Sequence, residues 1–200
     1  MKIEVRTNIK KEIKKLGKLN RGLKKELIVN SVNNLAFRAQ KFEKIAARKH
    51  LDRPTKQTLN SIVVKKRAKV KSENAILGFR PWAEEFIKYS ILGGVRPVQD
   101  TGVPTWNKKL NRHGNIAGRK SGLVKGKNQF IKTINGITGV WESRGRANNK
   151  KLRLLVKFVD NPRYESIFPW FRVANKVART FVSVDVPRAW NYMTRKKGFK

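Results

Sequence analysis

The sequence contains no cysteine. That excludes disulfide scaffolds, thiolate zinc sites, iron–sulfur ligation and cysteine nucleophiles. Histidine is nearly absent too: His50 and His113 are the only two, too few for a multi-histidine metal centre. Acid is scarce, with 13 Asp and Glu against 48 Lys and Arg. A metal nuclease needs converging carboxylates, whereas these acids are scattered singly, apart from Glu84-Glu85. Neighbours on a helix point in different directions, and two acids in a first helical turn complement the dipole, so a capping role is expected for that pair. Asp52, Asp100 and Asp160 each lie beside a proline, a turn or a helix end, where capping is again the expected role. No apolar run approaches the roughly 18–20 residues of a membrane span, and Met1–Arg6 lacks the apolar stretch of a signal peptide. The glycines form neither a GxxxxGK[ST] loop nor a GxGxxG turn opening a helix. We therefore assign no catalytic residue, no metal ligand and no cofactor, and do not expect an enzyme.

What is present is positive charge. The net charge is +35 and the sequence pI about 11.3. Such a chain repels itself and works beside something acidic: nucleic acid, an acidic protein surface or anionic lipid. The four successive fifty-residue quarters carry 15, 10, 11 and 12 basic residues, so a single basic tail does not account for the total. Hydrophobic residues make up 39% of the 200 positions, enough for one core.

The periodicity predicts a helix over residues 22–49, with Leu23, Leu27, Val32, Leu35, Ala39, Phe42 and Ala46 on its apolar side and Asn20 as its cap. Ahead of it, residues 1–21 read as a basic arm, with a short helix over 8–19 that is flexible or docked rather than core. A hairpin is expected with strands over 59–67 and 74–80. A short helix from Trp82 to Leu92 follows, turning Phe86, Tyr89 and Ile91 inward and stopped by Gly93-Gly94. Asn135-Gly136 marks a second hairpin within 129–141, and 152–159 gives a further strand. A final helix carries Phe171, Ala174, Val177, Ala178 and Phe181 on one stripe, is broken at Val182-Ser183-Val184, and restarts at an Asp185 cap. The fold class is α+β: a mostly antiparallel sheet of about four or five strands, packed by long N-terminal and C-terminal helices. Residues 22–195 are expected to form a single domain, and 196–200 a basic tail.

The densest basic region is an extended loop at about 97–128. Lys108, Lys109, Arg112, Arg119, Lys120, Lys125 and Lys127 stand there among glycines and without acid. They are the expected contacts to phosphate or to an acidic partner, without base readout. Trp106, at the start of this run, is the expected docking residue, onto the body or onto a partner. Trp82, Trp141, Trp170 and Trp190 fall within apolar patterns and are expected to be core.

Several motifs resemble one family. Leu51-Asp52-Arg53-Pro54-Thr55 with Thr58-Leu59 follows a long helix. Phe86-Ile87-Lys88-Tyr89 precedes Gly93-Gly94-Val95-Arg96-Pro97. Gly114-Asn115-Ile116 lies in the basic loop, Asn135-Gly136-Ile137-Thr138-Gly139-Val140-Trp141 comes after it, and Phe168-Pro169-Trp170-Phe171 opens the last helix. Over about residues 25–195 this pattern resembles the minor tail and tail-completion (head–tail joining) proteins of tailed bacteriophages, including the minor tail protein Z type of lambda-like phages. The resemblance implies a non-enzymatic virion protein at the tail or head–tail junction, made in the host cytoplasm and acting as one copy in a homo-oligomeric ring. Its implied partners are other neck or tail proteins on the portal, adaptor or tail-tube side. Non-specific contact with packaged DNA, and none with membrane, is also implied. The alternative is a free basic nucleic-acid-binding protein without sequence specificity.

Overall fold

A computed structural model describes residues 8–17, 21–97, 101–105, 128–145 and 151–197. The elements in chain order are α1 (Ile9–Lys14), α2 (Arg21–His50), α3 (Lys56–Asn60), β1 (Ile62–Lys66), β2 (Ile76–Phe79), α4 (Pro81–Leu92), β3 (Gly94–Val95), β4 (Thr101–Pro104), β5 (Gln129–Ile134), β6 (Ile137–Arg144), β7 (Lys151–Val159), β8 (Arg163–Tyr164) and α5 (Trp170–Lys197). The class is α+β with antiparallel pairing throughout. One sheet has the expected four strands, β4-β7-β6-β5, and among the described residues there are two further two-stranded sheets, β1-β2 and β3-β8. The chain gathers into two compact units, residues 1–91 with 167–200 and residues 92–166.

In the first unit, α2 and α5 run side by side in opposite directions. Ala39 and Ala47, late in α2, share a core with Trp170, Ala174 and Val177 at the start of α5. Leu27 and Leu35, early in α2, share another with Val182, Val186, Ala189 and Met193 near the end of α5. The stripe that α2 buries is Leu27, Ser31, Leu35, Ala39, Glu43 and Ala47, a strict four-residue repeat. Residues four apart stand one above the other along a helix face. Val32, Phe42 and Ala46 flank that stripe rather than forming it. The α1 helix is docked as core, with Ile9 and Ile13 buried beside Leu27 and Val186.

The β1-β2 hairpin is held to α2 by side-chain amides. Asn33 donates to the carbonyl of Ala68 at 3.1 Å and accepts from its N–H at 2.8 Å; Gln40 donates to the carbonyl of Ile62 at 2.8 Å. Leu59, expected in the first strand, lies in α3 instead. Thr55 caps that helix by accepting the Thr58 N–H at 3.0 Å, which ends the extended reading before the strand starts. On α4 the buried residues are Ala83, Ile87 and Ile91, so the wheel is turned from the expected one and Phe86 is exposed.

The α5 helix is continuous where a break at Val182–Val184 was expected. Its buried positions Ala174, Val177, Ala178, Val182, Val186, Ala189 and Met193 recur at three- and four-residue steps across the predicted break. Phe171, placed on the stripe by the sequence, is exposed. Pro187 removes one backbone donor inside the helix, at a cost of about 3 kcal/mol, and burial of Val186, Ala189 and Met193 offsets it. Asp185 caps nothing. It is buried, its side chain 1% exposed, and takes a two-pronged contact from Arg38 of α2: Nε to Oδ2 at 2.8 Å and Nη2 to Oδ1 at 2.5 Å. That hydrogen bonding raises the Arg38 pKa further above its ordinary value. The guanidinium also lies 4.4 Å from the Phe181 ring centroid.

In the second unit, β5 and β6 form the hairpin expected at Asn135-Gly136. Both turn residues have positive φ, 51° and 75°, as a type I′ turn requires. The β6 strand passes so close to β7 that a Cβ at Gly139 would stand 2.2 Å from the Val156 carbonyl oxygen. Glycine is the residue that permits this approach. Among the described residues the core of this unit is Val140, Leu155, Val156 and Phe158.

Candidate nucleic-acid interface

Trp106, Lys108, Lys109, Arg112, Arg119, Lys120, Lys125 and Lys127 lie outside the described residues, as does His113. The positions where that segment leaves and rejoins the sheet are described. It departs after β4, where Thr105 donates its N–H to the Leu155 carbonyl at 3.1 Å and its hydroxyl to Leu154 at 2.7 Å. It returns at Asn128, whose carbonyl accepts the Ser143 N–H at 2.9 Å, and enters β5. Strands β4 and β5 are the two outer strands of the sheet. Three strand spacings of about 4.8 Å separate them, roughly 14 Å in all. The described residues on either side of the most cation-dense stretch of sequence thus lie at opposite edges of one sheet.

Most acids of the described residues are already engaged. Lys15 pairs with Glu12 at 2.9 Å, Arg53 with Asp52 at 3.0 Å, Lys65 with Glu84 at 2.7 Å and Arg144 with Glu142 at 2.6 Å. The Arg144 hydrogen bond lowers the pKa of Glu142, and that of Arg53 lowers Asp52. Glu84 sits in the first turn of α4, as expected for a dipole partner. Glu43 is fully buried, and among the described residues its carboxyl oxygens meet no hydrogen-bond partner of good geometry, the Ala174 backbone amide being only nearby. Burial pushes its pKa up to about 9, with the Ala174 backbone amide pulling weakly the other way, so the group is neutral at pH 7. The acids therefore do little to screen the unpaired lysines and arginines from a polyanion.

The sequence reading missed one place where cations and an aromatic ring converge. Lys56, Gln57 and Asn60 of α3, Arg80 before α4 and Trp82 in its first turn line a cavity of about 490 Å³. Three local features position them. The Thr55 cap fixes Lys56 at the first position of α3. The Arg80 N–H donates to the Ser61 carbonyl at 2.9 Å, tying the end of α3 to the start of α4. Pro81 then opens α4, where a missing donor costs nothing. Trp82, expected in the core, is 41% exposed. It lies 6.0 Å from the ring of Phe86, which is 40% exposed and one turn further along. The signal was there to find: Ala83, Ile87 and Ile91 complete a buried four-residue repeat that leaves Trp82 and Phe86 on the other side. Trp170, by contrast, is fully buried as expected, and Trp141 is half-buried with its Nε1–H donating to the Lys132 carbonyl at 2.9 Å.

Among the described residues no three His, Asp or Glu side chains converge on a metal position, and no helix is long and apolar enough to cross a membrane. No family model, no curated protein and no solved structure matches this chain.

Proposed function

We propose that this chain is a non-enzymatic structural protein of a tailed-phage virion, a ring-forming tail-completion or head–tail connector component whose cationic surface faces DNA. The observation that carries the reading is the net charge of +35, spread over the whole length of the chain, with most of the few acids among the described residues paired or buried. A lone globule gains nothing from that imbalance, whereas a ring of such chains around a polyanion offsets it. The motif pattern over residues 25–195 supports the same reading. So does the density of cations in the sequence between β4 and β5, the two outer strands of the four-stranded sheet.

The test is quantitative mass spectrometry of purified virions. The expected result is a fixed copy number at a ring value, such as about six or twelve. Absence from virions, with the protein confined to infected cells, overturns the proposal and puts the free nucleic-acid-binding reading in its place.

A further inference from the structure

We infer that the cavity between α3 and the start of α4 binds single-stranded nucleic acid, with one base stacked on Trp82 and the flanking phosphates held by Lys56 and Arg80. This goes beyond the virion role and does not depend on it, since a chain absent from virions could carry the same site.

Four observations converge. Trp82 presents a partly exposed indole beside a partly exposed phenyl ring at 6.0 Å, an aromatic surface open to solvent. Every base has a π face, so such a surface accepts bases without reading sequence. Lys56 and Arg80 border the same cavity and make no ion pair among the described residues. The acids nearby on α4 are Glu84, engaged by Lys65, and the exposed Glu85. Gln57 and Asn60 add side-chain amides, which both donate and accept hydrogen bonds. The volume of about 490 Å³ suits one nucleotide rather than a duplex. Double-stranded DNA hides its π faces in the stack and offers its phosphates to any cationic surface, so the aromatic ring selects the single strand.

The probe is a single-stranded oligothymidylate of about twelve nucleotides, compared with a duplex of equal length in salt high enough to suppress the general charge attraction. We expect Trp82→Ala to weaken oligothymidylate binding about tenfold and to leave duplex binding unchanged. Trp82→Phe, which keeps a stacking face, should retain most of the affinity. Lys56→Ala and Arg80→Ala should each flatten the dependence of log affinity on log salt by about 0.7. Trp82 is exposed, so the alanine variant should keep the parent circular dichroism spectrum. Unchanged oligothymidylate binding by Trp82→Ala, or equal losses for single strand and duplex, overturns the inference. So does a changed oligomeric state with unchanged oligonucleotide binding, which assigns the aromatic face to a second copy of the chain.

Discussion

The two units differ in how they bury their apolar residues. Residues 8–91 with 167–197 close two adjoining cores along the α2–α5 pair, and Leu27, Ala47, Phe79, Ala83 and Trp170 are wholly inaccessible there. Residues 92–166 form a four-stranded sheet with four buried apolar side chains among the described residues, while Val103, Ile131 and Leu152 stay exposed. The first unit derives its stability from hydrophobic area. The described part of the second leans on backbone pairing and on turn chemistry, since its four buried apolar side chains leave less to lose by opening. Hydrogen exchange should therefore protect the amides of α2 and α5 more strongly than those of β5 and β6.

Substitutions sharpen this contrast, beginning with the largest expected effect. Asp185→Ala removes the two-pronged partner of the partly exposed Arg38 guanidinium and should destabilise the first unit by about 2–3 kcal/mol, seen as a loss of denaturation midpoint with the β5–β6 amides little changed. Glu43 links the same unit to pH. Its folded pKa of about 9 lies above the ordinary carboxyl value. The unfolded chain thus holds fewer protons between about pH 4.5 and 9, and stability falls as pH rises through that window. The slope is at most about 1.4 kcal/mol per pH unit. Glu43→Gln, which keeps the shape and removes the ionisation, should flatten the fall in melting temperature between pH 5 and 8.5. A parent protein equally stable at both values would refute the neutral buried carboxyl.

In the second unit, Gly139→Ala forces a Cβ against the Val156 carbonyl and should cost roughly 1–3 kcal/mol, confined to amides of β6 and β7. Gly136→Ala, at a φ of 75°, should cost about 1 kcal/mol and speed exchange around the hairpin alone. If either glycine variant lowers protection in α2 and α5 as much as in the sheet, the two units unfold as one and the contrast fails.

Much of this architecture was legible in the residues. The long N-terminal helix, the Asn135-Gly136 hairpin, the strand before Asp160-Asn161-Pro162 and the α+β class all follow from period and turn chemistry. Much of what was illegible turns on polar residues whose surroundings are set by distant parts of the chain. Ser31 and Glu43 occupy the buried stripe of α2, so a reading that admits only apolar residues shifts to Val32, Phe42 and Ala46. Asp185 beside Val186-Pro187 looks locally like a cap, and only Arg38, 147 residues earlier, explains it. The same failure hid the Trp82 cavity. Its members are ordinary surface residues along the chain, and the Arg80–Ser61 hydrogen bond that draws them together is not written in either segment alone.

The Ser90 carbonyl accepts the N–H groups of both Ile167 and Phe168, at 2.9 and 2.8 Å. The chain leaves the first unit and re-enters it at one point, so the 75 residues between are an insertion in sequence between the two segments of that unit. This sets an order during synthesis. The stripe from Leu27 to Ala47 is made early, but its cover begins at Trp170, more than 120 residues later. At roughly 5–20 residues per second, that is many seconds of exposure on the ribosome. The inserted sheet is complete before its host can close, and nascent chains halted short of Trp170 should bind a hydrophobic dye or a chaperone that the finished protein ignores.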